Sequence, residues 1–234
     1  MRVNVYSDKF SGTLSAAEVL KVIKSVFKNF DIQANYFPVT DGGEHSTEIF
    51  KHYNIQTESV SMKKDFVGSW IPAEYLNING DVYFESASLI GVNKTSEHPF
   101  NLNTAALSQV IPEIDVLGLG GSKTVDGGIG LLSCLGIDFY AEEEMITNPK
   151  PKDFKDITAV KVNDSFSNLE LKVLTDTSTR LLGSNSAVAM YGPQKGLNKK
   201  EIKHLEEQLE RIFQIVSTEL NVPLDPFKKE TGAA

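Results

Sequence analysis

The chain has 234 residues, 41% of them hydrophobic and 23% charged, a balance that suits a folded globular protein and excludes disorder on a large scale. A formal net charge of −8 without clustered Lys and Arg argues against nucleic acid as a partner, and no apolar run approaches the roughly 18 residues of a membrane span. One cysteine, Cys134, and an opening without signal-peptide order point to the cytoplasm, with the thiol expected to be buried in an apolar helix.

In chain order, residues 3–7 read as a strand, 15–27 as a helix with Ala16, Val19, Leu20, Ile23 and Phe27 at helical spacing, 34–39 as a second strand and 44 to about 53 as a helix. From residue 54 to 92 the segments shorten and alternate, and Asn79-Gly80-Asp81 signals a hairpin between residues 73–78 and 82–85. Residues 102–110 are expected to be helical, 115–119 a strand, 127–135 a helix and 171–174 a strand. The helix at 199–218 carries Ile202, Leu205, Leu209, Ile212, Phe213 and Val216 on one stripe and follows a turn at 192–196. Strands alternating with helices indicate an α/β protein, and the length leads us to expect two domains.

Residues 118–128, GLGGSKTVDGG, place five glycines, Ser122, Thr124, Lys123 and Asp126 after an apolar run. Glycines admit close backbone approach, a following helix offers N–H groups and the lysine adds positive charge, so the loop suits an anion. Neither standard nucleotide fingerprint fits the string, and a tight strand-to-helix turn without a ligand is the alternative. A second phosphate candidate is 191–196, YGPQKG, where Lys195 stands before a helix; the plainer reading is a turn with a solvated lysine.

The acids fall after strands: Asp8 after the first, Asp41 with Gly42, Gly43 and Glu44 after the second, Asp126 at the end of the glycine loop and Asp176 after residues 171–174. Ligands of open α/β sheets bind outside the carboxyl ends of strands. Each acid alone can be a helix cap worth about 1 kcal/mol. Beside a phosphate loop, carboxylates hold Mg²⁺ or accept the proton of an attacking hydroxyl, which is phosphoryl transfer. His45, His52, His98 and His204 lack metal-ligand spacing, and they and the run Glu142-Glu143-Glu144 read as surface.

Five ordered segments, DKFSGTLSA from Asp8, VTDGGEHST from Val39, the glycine loop, TDTSTRLLGSNSA from Thr175 and GPQKG from Gly192, give the chain a resemblance to the bacterial-type glycerate kinase family I. The resemblance implies ATP- and Mg²⁺-dependent phosphorylation of D-glycerate to 2- or 3-phosphoglycerate. It also implies two α/β domains, the second inserted into a Rossmann-like first: residues 1–70 belong to the first, 71–218 to the insert and 219–234 return toward the first. On this reading Asp8, Asp41 and Asp176 are candidates for the base or substrate contact. Asp126 and Glu44 are candidates for the metal, and Gly120, Gly121, Ser122, Lys123 and Lys195 for phosphate. The partner is a small hydroxyacid, and a homodimer is compatible.

Several positions depart from the family pattern. Its lysine in the first segment is Ser11 here while Lys9 replaces its serine, its Gly-Thr is His45-Ser46, its Asn before the aspartate is Val125, its Ala after serine is Lys123, and Thr179 replaces an Asn. The family's T-S-x-G-T-G segment corresponds to residues 101–106 without its glycines. Residues 231–234 match the start of a segment that family members continue back into the first domain, so a shortened chain with weak or no kinase activity is expected, its first two strands left as a two-stranded remnant. A noncatalytic paralog binding a sugar acid or nucleotide and a metal-dependent phosphatase are the alternatives.

Overall fold

The first strand, β1 (Arg2–Ser7), is followed by helix α1 (Ala16–Asn29) and by β2 (Gln33–Pro38), which pairs parallel to β1 from Arg2 opposite Gln33 to Ser7 opposite Pro38. This computed structural model describes residues 2–10, 13–165 and 169–232; Ser11 and the last two residues of the closing motif, Ala233 and Ala234, lie outside the described residues. A reciprocal capping box starts α1: the Glu18 N–H donates to Ser15 Oγ, and the Ser15 N–H to Glu18 Oε2. The two strands form a sheet of their own, and Tyr6 stacks on Phe37 with ring centroids 4.9 Å apart.

Helix α2 (Ser46–His52) leads into a five-stranded mixed sheet. Its antiparallel part is β3 (Thr57–Lys64), β4 (Trp70–Ile78) and β5 (Asp81–Glu85). The expected hairpin joins β4 to β5 through Asn79 and Gly80, both at positive φ, which matches the twist of the strands. Because β3 pairs with β4, residues 57–64 share a sheet with residues 70–85 across the boundary expected at residue 70.

A short helix, α3 (Ala87–Ile90), precedes β6 (Val116–Gly118), which lies parallel to β5. Residues 102–110 do not form the expected α-helix: Ala105–Gln109 and Ile111–Glu113 are 3-10 turns. Pro112 lacks the N–H that an α-helix would give to the Ser108 carbonyl and restricts Ile111 before it. These turns and α3 pack Leu89, Ile90, Leu107, Val110 and Ile111 against Phe84 and Tyr75 of the sheet.

The remaining elements build a second core. After α4 (Ile129–Cys134) come β7 (Ile137–Ala141), β8 (Glu144–Met145) and β9 (Ala159–Val162), an antiparallel sheet ordered β8-β7-β9. Strand β10 (Lys172–Leu174) returns to the five-stranded sheet, parallel to β6. Helix α5 (Ala187–Lys195) and the 22-residue α6 (Lys199–Leu220) complete the chain's regular structure. The buried stripe of α6, Leu205, Leu209, Ile212 and Val216, meets Ile137, Phe139, Phe154 and Ile157. Among the described residues no helix is long and apolar enough to cross a membrane.

Two expectations need correction here. The GPQKG segment is not a turn ahead of a helix: Gly192 to Lys195 are the last turn of α5, closed by Gly196 at φ 107°, and Asn198 then caps α6. Cys134 is exposed rather than buried. Only Ile129 and Gly130 of the six-residue α4 are buried, and Cys134 ends that helix on the rim of a cavity of about 460 Å³ shared with Asn103 and Phe139.

Candidate active site

The glycine loop is a strand–loop–helix connection from β6 to α4, as its composition suggested. Its backbone is tied to neighbours on both sides: the Leu119 N–H donates to the Leu174 carbonyl, Val92 to Gly121 and Lys123 to Ile90. The loop after β2, carrying Asp41 to His45, is laid against it backbone to backbone. A Cβ built on Gly43 would stand 2.9 Å from the Gly120 Cα, and one on Gly121 would stand 2.8 Å from the Glu44 Cβ. The two sequence motifs are therefore a pair, each leaving room for the other.

Beside this contact, walled by both loops, opens a cleft of about 520 Å³, within the range of small-ligand sites. Of the residues singled out from sequence, Asp41, Glu44, Gly120, Gly121, Ser122, Asp176 and Lys195 line it. Asp8, Lys123 and Asp126 are outside its lining. Asp8 accepts the Lys9 N–H at 2.7 Å, and Lys123 gives its backbone N–H to the Ile90 carbonyl.

Asp126 is 1% exposed, and its Oδ2 accepts from the Thr104 N–H and hydroxyl and from the Gly130 N–H, at 2.8–2.9 Å. Burial pushes its carboxyl up against the pull of these donors. It joins the 3-10 turns to the start of α4 in the manner of a cap, the plain role any acid before a helix can have.

The structure brings in residues that sequence reasoning did not commit to. Lys9 reaches into the cleft and its Nζ lies 2.9 Å from Asp41 Oδ2, while Asp41 Oδ1 accepts the Gly43 N–H at 2.8 Å. Burial works against both charges, but the ion pair and the N–H prevail: Asp41 is held below the usual carboxylate range and Lys9 above the usual lysine value. A lysine shifted by two positions within an otherwise matching segment was the signal for this pair. Thr175, Thr177, Tyr191, Gln194 and Asn93 also face the cleft. Asn93 Nδ2 donates to Glu44 Oε1 at 2.8 Å. Tyr191 and Gln194 are three residues apart on α5 and so share a face, a spacing hidden while the segment was read as a turn.

Lys195, on the opposite wall, is buried, and its Nζ donates to Ser122 Oγ at 3.1 Å and to the Thr124 carbonyl at 2.8 Å. Burial lowers it to about 8, with Asp126 opposing that shift and Lys123 adding to it. Its ammonium clamps the glycine loop to the end of α5. Among the described residues no group of three or more His, Cys, Asp or Glu is placed to hold a metal ion on its own. Glu44 lines the cleft with a carboxylate of the kind a magnesium ion takes, one or two such groups sufficing when water and phosphate oxygens complete the shell.

A family model described as the glycerate kinase family matches residues 3–234. A glycerate kinase of Halalkalibacterium halodurans is 29% identical over 91% of this chain and 60% of its own. The glycerate 2-kinase of Escherichia coli is 27% identical over 95% of this chain and 63% of its own. The chain thus spans about three fifths of the length of these curated relatives. A solved structure assigned as glycerate kinase 2 from Salmonella typhimurium LT2 superposes with a TM-score of 0.70 at 22% identity, over all of this chain and 68% of that one, and shares the fold.

Proposed function

Because the chain belongs to the glycerate kinase family, we propose that its cleft takes part in ATP-dependent phosphorylation of D-glycerate or a related small hydroxyacid, in a cytoplasmic protein. The observation that carries this reading is the backbone-to-backbone seating of the Asp41–Glu44 loop on the glycine loop, which gathers acids, a lysine and a phosphate-type loop around one cavity. ATP supplies the phosphoryl group and Mg²⁺ neutralises charge on its phosphates. Gly120, Gly121 and Ser122 present backbone and hydroxyl groups to that phosphate chain, with Lys195 keeping the loop in shape from behind. Glu44 would hold the metal, with water and phosphate oxygens completing its shell.

Asp41 is committed on both oxygens, to Lys9 and to Gly43. A carboxylate so paired is a weak base, and its part is to aim the Lys9 ammonium at the acid's carboxylate. Asp176 is then the cleft acid left to take the hydroxyl proton. Asp126 serves the architecture of the loop rather than the metal. We place residues 2–52 in one domain and the five-stranded and three-stranded sheets in an insert.

The test is ADP release by the purified chain with ATP, Mg²⁺ and a panel of small hydroxyacids. Release that depends on glycerate supports the reading. Nucleotide binding without turnover would instead favour the noncatalytic alternative, and hydrolysis of phosphoglycerate without ADP the phosphatase.

A further inference from the structure

Strand β5 carries two side chains that the reaction does not use and that both reach the Asp41 loop. Tyr83 and Glu85 are two residues apart and so stand on one face of the strand. The Tyr83 hydroxyl donates to the Gly42 carbonyl at 3.1 Å. The Glu85 carboxylate accepts the His45 N–H on one oxygen, at 3.0 Å, and the Thr47 N–H on the other, at 2.9 Å. Both residues are buried, at 0% and 8% exposure. The neighbouring strand leaves room for this reach, since a Cβ on Gly118 would stand 2.2 Å from the Gly42 carbonyl oxygen and 2.4 Å from the Tyr83 hydroxyl. A buried carboxylate is costly unless its donors are in place. Here they are backbone N–H groups at the start of α2, where the helix dipole also favours negative charge.

We infer that Glu85, assisted by Tyr83, is a positioning residue: it straps the Asp41–His45 loop to β5 and thereby sets the Lys9–Asp41 pair against the glycine loop. The loop belongs to the N-terminal segment and β5 to the central sheet, so the strap is a buried polar fastening between them, beside the exposed Asn93–Glu44 and Lys51–Glu74 contacts. It acts on the site through backbone, without touching the reacting groups. The inference rests on the proposed activity for its functional meaning, while its geometric content can be tested without turnover.

Lys9 gives that test. Its side chain is 13% exposed while it is paired with Asp41, whereas the Lys203 side chain on α6 is 80% exposed. Acylation by an amine-selective reagent, read at each lysine by mass spectrometry, therefore reports whether the pair is held. In Glu85→Ala the rate at Lys9 should rise about tenfold, the size expected for losing hydrogen bonds to a charged group, with Lys203 unchanged. Glu85→Gln keeps one acceptor and should show a smaller rise, and it carries the test if the alanine variant does not fold. Tyr83→Phe should show a smaller rise still. Ile212→Val, a mild cavity in the other core, should leave Lys9 slow. In the same Glu85 variants kcat should fall while KM for the nucleotide changes little. Unchanged Lys9 labelling in folded Glu85→Ala and Glu85→Gln overturns the inference, as does an equal rise in Ile212→Val. If the wild type shows no turnover with any hydroxyacid but Lys9 responds as described, the strap stands and the kinase reading is lost.

Discussion

The N-terminal β1–α1–β2 unit and the α6 unit begin with equally clear local signals and end with very different interiors. Each has a helix opened by a reciprocal capping box, Ser15 with Glu18 and Asn198 with Glu201. Yet α6 buries Leu209, Ile212 and Val216 at 0% exposure against a filled core, whereas no residue of β1 is buried and Tyr6 and Phe30 are 63% and 71% exposed. Local signals decide that an element forms; partners decide how much stability it contributes. The cleft draws on both, taking Lys9 and Asp41 from the loosely packed unit and Lys195 from the region joined to α6. The two lysines show the contrast in miniature, one raised by its ion pair with Asp41 and the other lowered by burial.

The sharpest way to break the comparison is to truncate one apolar side chain on each side. Leu209→Ala should destabilise the chain by about 2–5 kcal/mol in urea unfolding, while Val22→Ala, on the open side of α1, should stay within about 0.5 kcal/mol. Comparable losses would mean that the N-terminal unit is packed as firmly as the other.

Next in size is a separation of function from stability. Asp41→Asn should lower turnover with glycerate by about 100-fold, as for the loss of a group that positions the reactants, and should lower the urea midpoint far less than Leu209→Ala does. A variant that keeps its turnover would assign Asp41 to the turn alone.

A third measurement uses pH. Lys195 titrates near 8 in the fold against an ordinary 10.5, so between those values the unfolded chain holds more protons and stability rises as pH increases. Urea midpoints should therefore climb from pH 8 upward in the wild type, and Lys195→Met should flatten that climb. Asp41 has the opposite window: its folded value lies below 3.8, so its contribution is present above that pH and is lost as pH falls through the folded value. The smallest effect is expected at Cys134. Iodoacetamide should modify it in the native state, with a change in stability under about 0.5 kcal/mol.

Much of this was legible because it depends on near neighbours in sequence. The stripe of α6, the Asn79-Gly80 hairpin, β1, β2 and the glycine loop follow from spacing and turn chemistry. What was hidden depends on chain segments far apart. Asp126 looks like any acid at a strand end until Thr104 and the Gly130 N–H close over it. The partnership of Lys9 with Asp41 spans 32 positions. Pro193 suggested a turn, but at the end of α5 its missing N–H leaves only the Ala189 carbonyl without its helical donor, which one last turn tolerates. The family segments named the loops that meet, and only the fold showed that Asp8 and Lys123 are outside the cleft lining while Lys9 belongs to it.

The contact of Gly43 with Gly120 has a mechanical consequence. Two main chains this close have no side chain between them to bend or change rotamer, so neither can be pushed toward the other without moving it. The soft N-terminal unit is thus geared directly to the loop that would grip phosphate. A bulkier residue at position 43 or 120 would wedge the two loops apart and hold the cleft ajar, as grit holds a jaw.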